Sequence, residues 1–497
     1  MPYNQPLISK SSYISGLQCH KLIWYKFNAK DEIPEYDAGT QAIFDQGHLV
    51  GEYAKQLFSG GIEIKTEYYE IEKTIEESQK ALALRKPLFE AGFGYKNAYA
   101  RVDILCPVGN DAWDIIEVKS STEVKEVNFD DVALQRFVYE GAGLKIIKCW
   151  IYYINTKYFR QGKIEPEKLF AKQDITQEVD EHLQKVKEKL NEMASIIKLK
   201  KCPEVRIGPQ CSDPYDCALR EQCWAFLPEH NIFTLTHMGK KGFDLFDKNV
   251  TAIKNLPRDY HLSDKQVIQV KAIANGKPHI DKQGIDEFLK QLQYPLYYLD
   301  FETFMTAIPM YDNVHPYQVL PFQFSLHIVQ TQDSKPKHYS FLADGNVDPR
   351  PELLRRLKDL LGKEGSILAY YAGFEKGKLV DACITYTEYA DWYDRIEKRI
   401  VDLYSPFGSF FYYHPDQYGS ASLKKVLSAL TGKGYNDMEI ADGGTASAEY
   451  LRVTFGDVDV LDRQKVRAQL EKYCGLDTMG MVWIVEKLRE IASRSKS

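Results

Sequence analysis

The sequence lacks any run of about 18 consecutive apolar residues, so we expect no membrane-spanning helix. Its first residues lack the basic and then apolar pattern of a secretory signal, which predicts a cytoplasmic protein. An excess of positive charge is missing as well. The formal net charge is −6, so the chain as a whole offers no electrostatic attraction to nucleic acid, and only local sites can argue for that partner. Internal repeats and low-complexity tracts are also absent.

Carboxylates are present in three motifs of the second half of the chain. Asp300 and Glu302 lie two residues apart in a segment rich in strand formers, which predicts one strand face for both. Tyr473 and Asp477 are four residues apart in a helical stretch and should share a helix face. Glu375 lies between these motifs, in Ala-Gly-Phe-Glu-Lys. Clustered carboxylates repel one another unless cations lie among them, and such a cluster is typical of two divalent metal ions that assist phosphoryl transfer.

This order of motifs resembles the DEDD exonuclease branch of the RNase H-like superfamily, whose last motif is Tyr-x-x-x-Asp. The resemblance implies hydrolysis of phosphodiester bonds from a 3′ end, with Tyr473 either orienting the attacking water or simply packing. It also implies Mg²⁺ or Mn²⁺ held by four carboxylates: Asp300, Glu302, Glu375 and Asp477.

Glu375 departs from the family pattern, because the second motif normally carries aspartate. Glutamate still supplies oxygen ligands but reaches one methylene further, and metal-dependent nucleases tolerate little error in ligand geometry. Asp381 or Asp402 could substitute as the fourth ligand. Asp402 is the better of the two, since it ends a strand-like run.

A second constellation lies in the first half of the chain. Residues 98–105 read as a strand, residues 107–112 as a turn, and residues 113–119 as the returning strand. This hairpin brings Asp103 and Glu117 together, and Lys119 faces the same side as Glu117. Two carboxylates and a lysine can hold a metal ion, lower the pKa of its water and neutralise a phosphate.

Further residues extend this constellation. A helical pattern places Gln135 and Tyr139 on one face, and His48 opens an apolar-periodic run upstream of Asp103. The order His, Asp, Glu-x-Lys, Gln-x-x-x-Tyr resembles the RecB-type branch of the PD-(D/E)XK nucleases. The resemblance implies a catalytic role for Gln135 and Tyr139 and a metal ligand in His48; ordinary packing is the alternative for all three.

The nine cysteines include a compact run, Cys211, Cys217 and Cys223, and a lone early one, Cys19. One early and three late cysteines around a RecB-type core resemble the iron–sulfur-stapled RecB exonucleases, including CRISPR-associated ones. Four thiolates suit a [4Fe–4S] cluster, and a structural Zn²⁺ on the same four is the alternative. Cys202 could compete with Cys211 as a ligand. The other cysteines are interpreted as small buried hydrophobic residues: Cys106, Cys149, Cys383 and Cys474.

A chain of 497 residues is too long for one core. We expect an α/β multidomain protein: a PD-(D/E)XK domain over residues 1–230, a helical connector over 231–290 that faintly resembles helix–hairpin–helix segments, and an RNase H-like domain over 291–497. The whole chain resembles an uncharacterised bacterial family that fuses these modules, with a role in DNA repair or antiphage defence.

The expected function is therefore metal-dependent hydrolysis of nucleic acid, with DNA favoured over RNA. The alternative is a nucleic-acid-binding protein with one active site, in which the other domain, more readily the C-terminal one, is a scaffold. A third class, a protein that only binds other proteins, is disfavoured, because every carboxylate cluster would then be accidental.

Overall fold

The computed structural model describes residues 7–494, which divide into two compact units. The first unit runs to Ala225 and also includes Thr306–Gln318, and the second comprises Phe226–Met305 and the chain from Val319 onwards. Residues 1–6, where a secretory signal would begin, lie outside the described residues. Within the described part, no helix combines the length and the apolar character needed to cross a membrane.

The first unit contains a mixed sheet and its covering helices. Its elements are β1 (Ile8–Ser9), α1 (Lys10–Gln18), α2 (His20–Asn28), α3 (Ala38–Lys55), β2 (Ile62–Glu63), α4 (Ile71–Leu82), β3 (Leu88–Tyr95), β4 (Ala98–Val108), β5 (Ala112–Lys119), α5 (Glu126–Gly141), β6 (Lys145–Ile154), α6 (Pro166–Leu169), β7 (Phe170–Asp174), α7 (Thr176–Ile197) and α8 (Arg220–Trp224).

The strands of this sheet follow the order β2-β3-β4-β5-β6-β7, and β1 pairs with β4. β4 and β5 form the predicted antiparallel hairpin, with Ile104 opposite Ile116, and β5 runs parallel to β6. α7 buries an apolar stripe at helical spacing, including Val186, Leu190 and Met193. α5 packs against α7 and against the sheet, so one face of α5 lies over β4 and β5.

The second unit has its own sheet. Its elements are α9 (Lys241–Asp247), α10 (Asp264–Asn275), β8 (His279–Ile280), α11 (Lys282–Lys290), β9 (Leu296–Phe304), β10 (Leu320–Val329), β11 (Lys337–Leu342), α12 (Arg350–Leu360), β12 (Ser366–Ala369), α13 (Gly373–Thr385), α14 (Ala390–Glu397), β13 (Ile400–Asp402), α15 (Ser405–Gly408), β14 (Tyr412–Tyr413), α16 (Leu423–Thr431), α17 (Gly443–Phe455) and α18 (Val460–Ser493).

β9 is the central strand of a sheet ordered β11-β10-β9-β12-β13. β10 is antiparallel to both β9 and β11, whereas β12 is parallel to β9 and to β13. The predicted order of strand, strand, strand, helix, strand, helix is confirmed by β9 to α13. α18 packs on β9 and β10, which carries side chains of its buried face onto the central strand.

Both units are mixed α/β, as the sequence predicted at that level. The predicted boundary at residue 230 and the predicted connector over 231–290 differ from the observed division. The unit boundary lies after Ala225, and α9, α10 and α11 belong to the second unit. The segment Thr306–Gln318, between β9 and β10, belongs to the first unit.

Candidate active sites

A group of acidic side chains lies on the central strand of the second unit. Asp300 and Glu302 face the same side of β9, as predicted, and α18 brings Cys474 beside them. One potential ligand atom from each of these three residues lies within 4.8 Å of the others. The Cys474 Sγ is 3.6 Å from Asp300 Oδ2.

Two further predicted carboxylates join this group. Asp477 on α18 is buried and accepts a hydrogen bond from the Tyr435 hydroxyl. Glu375, in the first turn of α13, is 3% exposed, and within residues 7–494 its Oε2 has no hydrogen-bond partner. We name Asp300, Glu302, Glu375 and Asp477 the carboxylate cluster.

Asp402, the alternative fourth ligand, has a different task. Its Oδ1 accepts the backbone N–H groups of Tyr371 at 3.1 Å and Tyr404 at 3.0 Å, so it holds the turns that follow β12 and β13. Asp402 is close enough to Glu375 to raise the pKa of Glu375, so Glu375 as the fourth ligand stays a prediction.

The carboxylate cluster carries negative charge that its surroundings offset only in part. Burial raises the pKa of Asp300 well above its usual range, and repulsion from Asp477, Glu302 and Glu375 raises it further. Burial and Asp477 raise the pKa of Glu302 in the same way. Burial raises the pKa of Glu375 to about 8 and that of Asp477 to about 6.

Lys424 is the cation that counters this effect at Glu302 and Asp477. Its Nζ lies 5.1 Å from the centre of the Tyr473 ring and 5.2 Å from that of Tyr435. Tyr473 is therefore near the cluster, as predicted, but its ring packs against Lys424 and Tyr435.

Sequence reasoning missed three residues around this cluster. Cys474 is buried, as predicted for a small hydrophobic residue, but its sulfur adjoins a carboxylate. Its position three residues before Asp477 puts both on one helix face, a signal that was available. Lys424 and Tyr435 come from α16 and the segment after it, and no spacing in the sequence connects them to β9.

The predicted carboxylate and lysine pair of the first unit is also assembled. Lys119 Nζ lies 2.7 Å from Glu117 Oε1 and 2.6 Å from Asp131 Oδ2. Lys10 Nζ, from the start of α1, lies 2.7 Å from the same Glu117 oxygen. Gln135 Nε2 donates to the other oxygen, Glu117 Oε2, at 2.8 Å. Both oxygens of this buried carboxylate are thus already engaged.

Charges in the first unit are matched in pairs. Burial would raise the pKa of Glu117, but Lys10 and Lys119 lower it to about 2. Asp103 differs: burial and the neighbouring Glu117 raise its pKa to about 7. Its Oδ2 accepts the backbone N–H of Val118 at 2.6 Å.

His48 and Asp103 line the same cavity of about 320 Å³, together with Glu90 and Arg101. His48 is exposed on α3, which begins well before it, at Ala38. The structure thus brings the predicted histidine to the space in front of Asp103 without a direct contact to that carboxylate.

Tyr139 lies away from these charges. Its buried hydroxyl donates to the carbonyl oxygen of Ala91 and accepts the N–H of Val102 at 3.0 Å. These two residues face each other on β3 and β4, so the hydroxyl joins the two strands. Gln135, one turn earlier on α5, is the member of the predicted pair that reaches Glu117.

Sequence reasoning missed Lys10 and Asp131. Asp131 precedes Gln135 by four residues, so the shared helix face was readable. Lys10 contacts residues more than a hundred positions away, and only the three-dimensional fold reveals that contact.

The four predicted cysteines line one small cavity in the first unit: Cys19, Cys211, Cys217 and Cys223. The described residues around this cavity do not include Cys202. Burial raises the pKa of Cys19, whereas the backbone N–H groups of Leu22 and Lys21 lower it. Within residues 7–494, no three of these sulfur atoms come within 4.8 Å of one another.

Part of the chain matches a family model to which no activity is assigned. A family model described as a domain of unknown function, DUF2779, matches residues 297–422. The match covers β9 to the start of α16, including Asp300, Glu302 and Glu375, and ends before Asp477. No curated protein matches the chain.

Proposed function

We propose that this protein is a metal-dependent nuclease that hydrolyses phosphodiester bonds of nucleic acid, with DNA favoured over RNA. The observation that carries the proposal is the carboxylate cluster, in which three buried acids lie near the partly exposed Asp300 and Glu375 Oε2 has no hydrogen-bond partner among the described residues. Buried carboxylates must give up their charge or gain a cation. Oxygen donors of this kind are the ligands that Mg²⁺ and Mn²⁺ prefer.

The architecture of both units supports the same proposal. In the second unit, the acids lie on the central strand β9 of a sheet whose element order fits an RNase H-like domain. In the first, a hairpin carrying Asp103, Glu117 and Lys119 is followed by a helix carrying Gln135, which fits a PD-(D/E)XK domain.

Divalent metal ions, when bound, lower the pKa of water and offset the charge of the phosphate. The residues of the chain supply the rest. Asp300 and Glu302 are held on a rigid central strand, so their oxygens keep a fixed spacing. Asp477 is oriented by the Tyr435 hydroxyl. In the first unit, the ammonium of Lys119 adjoins Glu117, where it can stabilise negative charge that develops on a phosphate.

The four cysteines around one cavity support a shared metal group in the first unit. Four thiolates suit an iron–sulfur cluster with one thiolate on each of its metal ions, and a structural Zn²⁺ on the same four cysteines is the alternative. Such a group would join Cys19 to the segment carrying Cys211, Cys217 and Cys223.

A second candidate function is nucleic-acid binding with one active nuclease site and one scaffold unit. The charge balance favours the first unit as the scaffold, because both oxygens of Glu117 already have partners. In the carboxylate cluster, by contrast, Glu375 Oε2 has none. This second candidate therefore favours catalysis in the second unit, the reverse of what the unusual glutamate suggested in the sequence.

The test is cleavage of end-labelled single-stranded and double-stranded DNA and RNA with Mg²⁺ or Mn²⁺. We expect Asp300→Ala to lower digestion from the 3′ end on the order of a thousandfold, because it removes a ligand from the cluster. Asp103→Ala separates the two candidates: it lowers a distinct set of products if both units cleave and changes nothing if the first is a scaffold.

Asp457→Ala, at an exposed aspartate outside both sites, is the control and should cleave like the parent. The proposal is overturned if the parent cleaves none of the substrates. It is equally overturned if folded Asp300→Ala and Asp103→Ala proteins both match the parental rate.

A further inference from the structure

Two aromatic rings are exposed beside the carboxylate cluster. Tyr371 is 48% exposed and Phe374 is 44% exposed, at the start of α13. The Tyr371 ring stacks on Tyr404, with 4.1 Å between ring centres and 26° between planes. One face of Tyr371 is therefore supported from behind by a second ring, whereas much of the residue remains open to solvent.

The backbone holds this ring in an unusual position. Tyr371 has a φ of +62°, a conformation that non-glycine side chains rarely adopt and that persists where the surroundings enforce it. The enforcing group is Asp402, whose Oδ1 accepts the N–H groups of both Tyr371 and Tyr404. One carboxylate thus fixes both stacked residues, and such strain is concentrated at functional sites.

The stacked pair adjoins the carboxylate cluster. Glu375 follows Tyr371 by four residues, and the charge of its carboxylate raises the pKa of Asp300. Gly373 lies between these two residues in the sequence, and a Cβ built there would meet no atom of the described residues within 4 Å. The backbone between Tyr371 and Phe374 is therefore uncovered at this position. Lys378 Nζ lies 5.7 Å from the centre of the Phe374 ring and 3.0 Å from Asp381 Oδ2, so the cation present there is paired with an exposed carboxylate.

An isolated exposed tyrosine needs no explanation. Here, a strained backbone, a supporting ring and a neighbouring acidic site coincide. Bases of single-stranded nucleic acid stack on such rings regardless of sequence, and a nearby lysine can meet the phosphates between them.

We propose that Tyr371, supported by Tyr404, is a stacking platform for a base at the end of a single nucleic-acid strand. This inference rests on the proposed function and adds to it the substrate class: a strand with an unpaired terminal base, which is presented to the carboxylate cluster. The Tyr371 ring, rather than its hydroxyl, carries the interaction.

The test measures binding without cleavage, using the full chain in a chelator at low ionic strength. The probe is a single-stranded oligonucleotide with 2-aminopurine at its 3′ end, whose fluorescence is quenched on stacking, and a second probe has an abasic 3′ end. We expect the parent to quench the first probe and to bind the abasic probe about 5- to 150-fold more weakly, the range that one stacked base contributes.

Tyr371→Ala should abolish the quenching and bind both probes with equal affinity, and Tyr404→Ala should weaken the discrimination. Tyr371→Phe, which keeps the ring, should behave like the parent. The matched control is Tyr339→Ala, at an exposed tyrosine on β11. Because the ratio between two probes is measured on each variant, a partial loss of folded protein cancels.

A parent that binds both probes equally, or a Tyr371→Ala variant that still discriminates between them, overturns the platform. If these results accompany normal Asp300-dependent cleavage, the platform alone is wrong and the proposed function stands. A parent that binds no single strand and cleaves none of the DNA and RNA substrates refutes both.

Discussion

Glu375 shows, as a single residue, how a side chain that serves a binding site differs from one that packs in the hydrophobic core. A buried carboxylate with an oxygen that has no partner is costly for folding, because its charge has lost the hydration of water. Its position in the first turn of α13 is not needed to form that helix, since many residues are accepted there. A residue kept at such a cost is expected to serve a ligand.

Glu375→Gln should therefore reduce digestion and stabilise the fold. The loss of a charged ligand should lower 3′ digestion on the order of a thousandfold. Burial raises the pKa of Glu375 to about 8. The parent therefore loses stability as the pH rises from the ordinary pKa of a glutamate through about 8. In chelator, the variant should be more stable than the parent above this range, on the order of 2 kcal/mol, and the difference should vanish near pH 4.

Chemical unfolding at several pH values measures this difference, and the oligonucleotide assay measures digestion. Glu375→Asp is the matched control: it keeps the charge, restores the usual ligand of the resembled family, and should retain much of the activity. A Glu375→Gln protein that digests like the parent would remove Glu375 from the site.

Some of the site residues could be predicted because local geometry determines their relation. The two-residue period of a strand puts Asp300 and Glu302 on one face in any fold. The contact of Lys10 with Glu117 has no such local rule, because it depends on how α1 packs against α5 and β4. Sequence reasoning therefore found the acids and Lys119, and it missed Lys10 and Lys424, which meet the acids only through the fold.

At the scale of elements, Tyr139 explains how α5 is fastened to the sheet. Its hydroxyl contacts both Ala91 and Val102, which are directly opposite each other on β3 and β4. The sequence pattern treated it as the partner of Gln135 because both lie on one helix face. Gln135 and Tyr139 are one helical turn apart, yet Gln135 donates to Glu117 whereas Tyr139 binds backbone groups of β3 and β4.

Tyr139→Phe should accordingly destabilise the first unit without changing its chemistry. The substitution leaves a backbone carbonyl and an N–H without their buried partner, which costs about 1–3 kcal/mol. Urea unfolding should show this loss, and the folded variant should cleave at the parental rate. The comparison variant Gln135→Leu should also affect cleavage by the first unit, because Gln135 donates to Glu117, and the loss of this buried partner should cost stability as well. A stable but inactive Tyr139→Phe protein would return the hydroxyl to the active site.

The strands and helices near these sites were readable because their apolar periodicity is strong. The β4–β5 hairpin and the order of elements from β9 to α13 were both predicted. The assignment of Thr306–Gln318 to the first unit was not predicted. It arises from contacts such as the hydrogen bond from the Tyr317 hydroxyl to the carbonyl oxygen of Ser120. Such contacts join positions far apart in the chain and follow no periodic pattern.

At the scale of the whole molecule, the two units differ in how they balance charge. The first unit pairs Glu117 and Asp131 with Lys10 and Lys119, and of its site acids Asp103 has its pKa raised to about 7 by burial and by Glu117. The carboxylate cluster of the second unit is offset by Lys424 only in part. Divalent metal should therefore stabilise the second unit more than the first.

The cysteines make a separate prediction for the first unit. Cys19 and the run from Cys211 to Cys223 come from opposite ends of its sequence, so a shared metal group closes a very long loop. Closing such a loop contributes on the order of 5 kcal/mol. Anaerobically purified protein should be brown, with broad absorbance near ~400 nm and bound iron, whereas a zinc site would be colourless.

Cys19→Ser should lose this colour and lower the melting temperature of the first unit, while digestion that depends on Asp300 persists. The reason is that such a group stabilises the fold and takes no part in the chemistry. Cys202→Ser is the decisive control, because Cys202 does not line the cavity among the described residues. It should keep both the metal content and the melting temperature, and Cys211→Ser should lose both. If Cys202→Ser loses the metal and Cys211→Ser retains it, the fourth ligand has been misassigned.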